Sequence, residues 1–426
     1  MNDINQLQQK PITITTQVII IGAGPAGAMA SVFLTKAAID HVIIEKDIFP
    51  RDKVCGDACS GKSVFVLKKA NPEWLDEIFL NKAENLACNG LVFVSPNGKP
   101  LSIPFTSPNA QQKYAAGFVT PRLIFDNFLF NKITSQYATV YQQSSIKKIT
   151  RENKMISVEF VQHGKNYTIS APLIIGADGD KSIVRKTLLD NDSVTKTGCV
   201  GLRGYYKNVT GFDKNNFIEL HFLKELLPGY FWIFPLSNGN ANVGIGMPSE
   251  IIRKKKINLR EVMLDAIKNN PNIKDRFQHA ELIDKIQGWG LPMSPKRLPM
   301  SGDNFLLTGD AAGLIDSFSG EGIGNALYSG MLAAQAATEL LKEESYDEAV
   351  IKLKYDDVLY SRIGDELKMG ALLQRLSKYG WLFDFVVKKA HKSKTLNAAL
   401  TSMFTDLDLR KQIRKPSFYA KIIFNK

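Results

Sequence analysis

A chain of 426 residues has room for two or three domains, and 44% hydrophobic with 23% charged residues is the composition of a folded globular protein. That excludes a wholly disordered chain, a collagen and a coiled coil. The 54 Lys and Arg against 42 Asp and Glu leave a formal charge of +12, which favours anionic partners such as nucleic acid, an acidic membrane face or phosphorylated ligands.

In chain order, Thr13–Ile21 reads as one buried parallel strand. Gly22-Ala-Gly24-Pro-Ala26-Gly27 follows, then the helix-forming run Ala28–Ala38, then a second buried strand, His41–Glu45, ending in an acid. Residues 91–106 suggest short antiparallel strands. Thr120–Ile133 predicts a helix with Pro121 in its first turn. Ser157–Phe160 and Tyr167–Ile169 suggest a hairpin, and Leu173–Gly176 another apolar strand. Strand-like runs fill 199–247, and Arg260–Ile267 is helical in composition. Asn304–Thr308 is a strand leading into Gly309-Asp310, and Gly322–Leu341 a long Ala-rich helix. The remainder is mostly helical with a basic end.

Several features bound the setting. Four cysteines, at 55, 59, 88 and 199, are too few for a disulfide scaffold and match no zinc spacing, so a reducing cytoplasm is the expected compartment. Met1–Lys10 lacks the basic-then-apolar order of a secretory signal. The most apolar stretch, Val18–Leu34, holds Gly22, Gly24, Pro25 and Gly27, which suits a tight turn better than a spanning helix. The five histidines form no ligand-spaced pair, so no metal is expected.

The strand, G-x-G-x-x-G turn and helix carry a mechanism. Gly22 permits the tight turn, Gly24 lets a pyrophosphate approach the backbone, and Gly27 lets helix and strand pack closely. The phosphates then meet the positive end of the helix. Glu45, at the end of the next strand, would accept hydrogen bonds from an adenosine ribose and repel a 2′-phosphate, which points to FAD or NAD rather than NADP. Later stretches favour FAD. Leu173–Arg185 places a strand before Gly176-Ala-Asp178-Gly. Gly309-Asp310-Ala-Ala-Gly313 repeats that logic, with Asp310 able to accept hydrogen bonds from a ribityl chain. Gly320-Glu-Gly322-Ile323-Gly324 opens a helix whose N-terminus could face a flavin's pyrimidine edge. NAD needs none of these.

These three stretches resemble the FAD fingerprints of the p-hydroxybenzoate hydroxylase-type flavoproteins. Lys53-Val-Cys55-Gly56-Asp57-Ala58-Cys59-Ser60 is similar to the K-x-C-G-x-x-x-S segment of the geranylgeranyl reductase family, and Pro228-Gly-Tyr230-Phe-Trp232-Ile-Phe234-Pro235 to its Y-x-W-x-F-P signature. The resemblance runs from about residue 15 to about 345. It implies an α/β protein with a Rossmann-like FAD-binding domain from 1–75, 116–194 and 296–350. A mostly antiparallel β substrate domain from 76–115 and 195–295 and a helical C-terminal region, 351–426, would complete it. Gly22, Gly24, Ala26, Gly27, Glu45, Cys55, Gly56, Arg122, Asp178, Gly309, Asp310, Gly322 and Ile323 would bind FAD. Tyr230, Trp232 and Phe234 would line the substrate cavity. Cys55, Tyr230 and Trp232 are the candidate catalytic residues, with Cys55 the candidate proton donor.

Members of that family saturate double bonds of polyprenyl chains on lipids, chlorophyll precursors or quinones. The resemblance therefore implies hydride transfer from N5 of reduced flavin to an isolated alkene of a geranylgeranyl chain. Electrons would come from NADPH, ferredoxin or a quinol. The alternative is a flavin monooxygenase or halogenase acting on an aromatic. The halogenase signature W-x-W-x-I-P has only a partial counterpart, with Tyr230 in place of its first Trp and Phe234 in place of its Ile.

Two further features stand apart. Gly56–Ser63 fits G-x-x-x-x-G-K-[ST], but Phe49-Pro50-Arg51-Asp52-Lys53 before it cannot be the central strand such a phosphate loop needs. Arg410–Lys426 carries six basic residues and no acid, interleaved with Phe418, Tyr419, Ile422, Ile423 and Phe424. Such a tail would lie on the inner face of an anionic membrane, or dock on the domain. No nucleic-acid module accompanies the charge, so nucleic acid is not expected as a partner.

Overall fold

The computed structural model describes residues 11–105, 113–189, 198–293 and 296–393; the basic tail Arg410–Lys426 lies outside them. A six-stranded sheet runs in the order Ser301–Gly302, Phe305–Leu307, Leu173–Gly176, Val18–Ile21, His41–Ile44, Ala138–Tyr141. Every pair is parallel except the short edge pair at Ser301–Gly302. Val18–Ile21, His41–Ile44 and Leu173–Gly176 are buried along their whole length. That follows from continuous Val/Ile/Leu runs, since a parallel sheet is covered on both faces. The helices Pro25–Lys36 and Ile323–Glu343 pack against each other over it. Ser31 and His41, both buried, share a 2.7 Å hydrogen bond that ties the first helix to the second strand.

The expected single strand Thr13–Ile21 is two. Ile12–Thr15 is largely exposed and pairs in parallel with Lys165–Ala171 in a separate four-stranded sheet, which also holds Met155–Gln162 and Ser144–Glu152. The break falls where Ile/Thr alternation, the pattern of a strand with one face in water, gives way to an unbroken apolar run.

An eight-stranded sheet follows the path Glu281–Leu282, Cys199–Lys207, Ala241–Pro248, Tyr230–Pro235, Ile218–His221, Gly90–Val94, Pro100–Pro104, with Gln287–Leu291 also paired to Cys199–Lys207. Its pairs are antiparallel except Gly90–Val94 with Ile218–His221. A small three-stranded sheet, Ala58–Cys59, Gly117–Val119 and Leu86–Cys88, lies beside these two. Two helices absent from the sequence reading, Gly61–Ala70 and Glu73–Leu80, follow the Cys55 segment.

The chain ends its described part in Asp357–Leu376 and Gly380–Ala390. From the second of these Phe383 stacks on Phe222 at 4.3 Å, which brings the helical region onto the eight-stranded sheet. This is the expected α/β class: a Rossmann-like sheet, a mostly antiparallel sheet and C-terminal helices. No helix among the described residues is long and apolar enough to cross a membrane.

Candidate active site

The glycine turn is built by close backbone approaches. Gly22 has φ +96°, where L side chains are strained, and a Cβ on Gly27 would stand 1.9 Å from the Gly22 carbonyl oxygen. Helix Pro25–Lys36 starts at Gly24 with no side-chain cap, so its first turn offers N–H groups and the positive end of the dipole. Glu45, almost fully buried, accepts from Ala23 N at 2.7 Å and Asp47 N at 2.9 Å. It anchors the turn, and carboxylate oxygens have capacity for further bonds. Arg51 stacks on Phe49, donates to Asp126 at 2.6 Å, and holds its other terminal nitrogen 3.4 Å from where a Gly24 Cβ would be.

The turn opens into one cavity of about 1380 Å³. Its wall includes Gly22, Gly24, Ala26, Glu45, Cys55, Gly56, Arg122, Asp178, Gly309, Asp310, Gly322 and Ile323, together with Tyr230, Trp232 and Phe234. Gly27 stands outside the wall, in the helix behind the turn. The residues present fit FAD. An uncapped helix end and Arg51 suit a pyrophosphate, and the helix Ile323–Glu343 begins on the same cavity at Gly322. Asp310 pairs with Lys53 at 2.8 Å, so the Cys55 segment is pinned to the third fingerprint. Asp178 accepts from Ile183 N at 2.7 Å and secures the start of the helix Ile183–Leu188.

Around Cys55 the groups are buried and coupled. Arg122 makes a two-pronged pair with Asp126, both bonds 2.6 Å, and its guanidinium lies within hydrogen-bonding reach of the Cys55 thiol. Burial pushes the Cys55 thiol up despite the pull of Arg122, so Sγ carries its proton at neutral pH. Asp57, two residues on, is fully buried. It accepts from Tyr205 Oη at 2.6 Å, Asn242 Nδ2 at 2.7 Å and Arg122 N at 3.3 Å. Burial pushes Asp57 up to about 6 against the pull of Tyr205 and Asn242.

Asn242 joins this segment to the aromatic wall. Its Nδ2 donates to the Cys55 carbonyl and to Asp57, each at 2.7 Å, and its Oδ1 accepts from Trp232 Nε1 at 2.9 Å. Trp232 lies across Gly244, where a Cβ would meet its ring at 2.1 Å. Phe234 reaches Gly56, where a Cβ would stand 2.9 Å from Phe234 Cε2. Tyr230 donates to the Ser319 carbonyl at 2.7 Å. The polar atoms of Tyr230 and Trp232 are thus engaged inside the protein, and both residues present ring surface to the cavity.

The phosphate-loop pattern is put to another use. Lys62 is buried, donates to Asn325, and pairs with Glu366 at 3.0 Å. The strand before its helix is the two-residue Ala58–Cys59, not a central parallel strand. The sequence reading did not single out Arg51, Asp57, Tyr205 or Asn242. The alternate glycines Gly244 and Gly246 were the available signal, because glycines two apart on a strand mark a face that a large ring covers.

Comparison with known proteins agrees with this geometry. Residues 15–350 match the family described as FAD binding domain. The digeranylgeranylglycerophospholipid reductase of Methanocaldococcus jannaschii is 30% identical over 368 residues, 84% of this chain and 87% of that protein. The menaquinone reductase of Mycolicibacterium smegmatis is 28% identical over 337 residues, 75% of this chain and 76% of that protein. A geranylgeranyl bacteriochlorophyll reductase-like protein from Thermoplasma acidophilum shares the fold, with a TM-score of 0.77 at 23% identity, covering 94% of this chain and 99% of that one. The chain belongs to the FAD-binding-domain family, as a geranylgeranyl reductase-like, FAD-dependent oxidoreductase.

Proposed function

We propose that this enzyme reduces isolated C=C bonds of a polyprenyl chain carried by a lipid or a quinone. The observation that carries the reading is one continuous cavity of about 1380 Å³ walled by the FAD fingerprints and, against them, by Tyr230, Trp232 and Phe234. That volume exceeds the roughly 300–1,000 Å³ of one small-ligand pocket, so cofactor and an apolar chain have room together. Reduced FAD, when bound, supplies a hydride to one alkene carbon. The aromatic wall holds the chain and excludes water. The second carbon needs a proton, and the Cys55 thiol, held protonated in the wall, carries one at Sγ. Arg122 lies where it would stabilise the thiolate left behind. Tyr230 and Trp232 act as positioning surface. The same reading keeps 1–75, 116–194 and 296–350 as the FAD-binding domain, and 76–115 with 195–295 as the substrate domain.

The test uses the FAD-loaded protein under argon. The flavin is photoreduced, a geranylgeranyl-bearing lipid is added, and reoxidation and product mass are followed. Two hydrogens gained per reoxidation event support the reading. Flavin that stays reduced until air enters, with the lipid unchanged, refutes it in favour of oxygen chemistry.

A further inference from the structure

The helical hairpin Asp357–Leu376 and Gly380–Ala390 carries an apolar surface that points out of the fold. Of the fifteen exposed large apolar side chains among the described residues, five fall within 372–385: Leu372, Leu376, Tyr379, Trp381 and Phe385. Trp381 is 69% exposed, whereas Trp74 and Trp232 are 9% exposed. Single exposed apolar residues are ordinary; a cluster marks an interaction site. Leu372 with Leu376, and Trp381 with Phe385, are four apart, so each pair shares one side of its helix. Neighbouring side chains of the hairpin are already engaged. Met369 and Leu373 line the active-site cavity, and Phe383 stacks on Phe222.

The charge on the second half of this surface is mainly positive. Residues 376–393 contain Lys378, Lys388, Lys389 and Lys392 and a single acid, Asp384, which accepts from Asn97 N at 3.1 Å. Lys388 stands seven residues after Trp381, on the same helical side. Amphipathic rings flanked by lysines match the boundary of an anionic bilayer, where rings settle at headgroup level and ammonium groups meet phosphates. A protein partner would need acidic groups facing those lysines as well as an apolar seat.

We propose that this hairpin face docks on an anionic lipid bilayer, with Trp381 and Phe385 entering the headgroup region and Lys378, Lys388 and Lys392 meeting lipid phosphates. The purpose rests on the prenyl-substrate reading: on the helix that bears exposed Leu372 and Leu376, the adjoining side chains Met369 and Leu373 line the cavity. A chain anchored in the bilayer would then pass beside one helix to reach the flavin. The docking itself stands or falls separately.

The FAD-loaded full-length protein would be floated with vesicles of phosphatidylcholine alone, and of phosphatidylcholine mixed with phosphatidylglycerol. Flotation with the anionic vesicles only, reversed by salt and accompanied by a blue shift of Trp381 emission, is expected. The double variant Trp381→Ser/Phe385→Ser should lose partitioning by about tenfold. Leu80→Ser, which removes another highly exposed apolar side chain elsewhere, should leave it unchanged. No flotation, or equal flotation of the double variant, overturns the proposal. So does shielding of Trp381 from iodide in the free protein, which would mean that residues 394–426 or a second copy covers the face. Turnover on a detergent-dispersed prenyl lipid separates the two readings. If the double variant keeps it while losing vesicles, docking is confirmed as a distinct function of the hairpin. If wild type floats but reduces no prenyl chain, the reductase reading fails and docking survives.

Discussion

Replacing Asn242 by Leu tests whether one buried amide holds the reactive segment against the aromatic wall. The substitution keeps the shape of the side chain but removes all three of its hydrogen bonds. Trp232 Nε1 and the Cys55 carbonyl lose the partner shown for them, and Asp57 loses one of its three. A buried neutral group left unsatisfied costs about 1–3 kcal/mol, and a bond lost from a charged group about 1.5–3 kcal/mol. The losses centre at about 6 kcal/mol on that scale, and the added apolar surface of leucine returns about 1 kcal/mol. A net destabilisation of about 5 kcal/mol is expected from urea unfolding followed by near-ultraviolet circular dichroism. Because the Cys55 carbonyl is also released, alkylation of Cys55 by iodoacetamide should quicken. A loss below about 1 kcal/mol, with unchanged alkylation, would show that the amide is incidental and refute the argument.

Other outcomes follow from the same geometry. Cys55→Ser should retain FAD and lower turnover at least about tenfold, because a serine hydroxyl is a far weaker acid; full turnover would remove the thiol from the chemistry. Asp57 has a folded pKa of about 6 against an ordinary 3.8, so between those values the folded state holds the extra proton and stability falls as pH rises. That contribution, about 3 kcal/mol, is complete below the lower value and gone above the upper one. Asp57→Asn should flatten this difference between pH 4.5 and 7 in urea melts, and an unaltered slope would assign it elsewhere. Gly56→Ala places a methyl against the Phe234 ring, so the prenyl KM should rise several-fold while FAD affinity changes less; an unchanged KM would mean that the contact does not shape the substrate site.

What the sequence disclosed and what it hid have physical reasons. The fingerprints were legible because their glycines answer to local demands: a positive φ at Gly22, and a helix turn pressed on a carbonyl at Gly27. Glu45 was legible because it ends a strand at a fixed distance from that turn. The junction at Thr16-Gln17 was missed because Ile12–Thr15 and Val18–Ile21 are both β-branched, and only their alternation differs. The group around Asn242 joins residues about 185 positions apart, and no local pattern announces such a meeting. The hairpin at 372–385 reads as core from spacing alone, since an apolar stripe looks the same whether protein or another phase covers it.

The meeting of the two long fingerprint helices has a consequence for how the protein is made. Gly330 lies so close to Ala26 that a Cβ there would stand 2.2 Å from the Ala26 carbonyl oxygen, and about 300 residues of chain separate them. Ser301–Gly302 and Phe305–Leu307 likewise extend, through Leu173–Gly176, the sheet to which Val18–Ile21 belongs. The first helix therefore leaves the ribosome long before its cover exists, with an apolar flank waiting for the last third of the message. A chain stopped near residue 300 would lack both the edge strand and the covering helix, and would be a substrate for chaperones and proteases rather than a smaller flavoprotein.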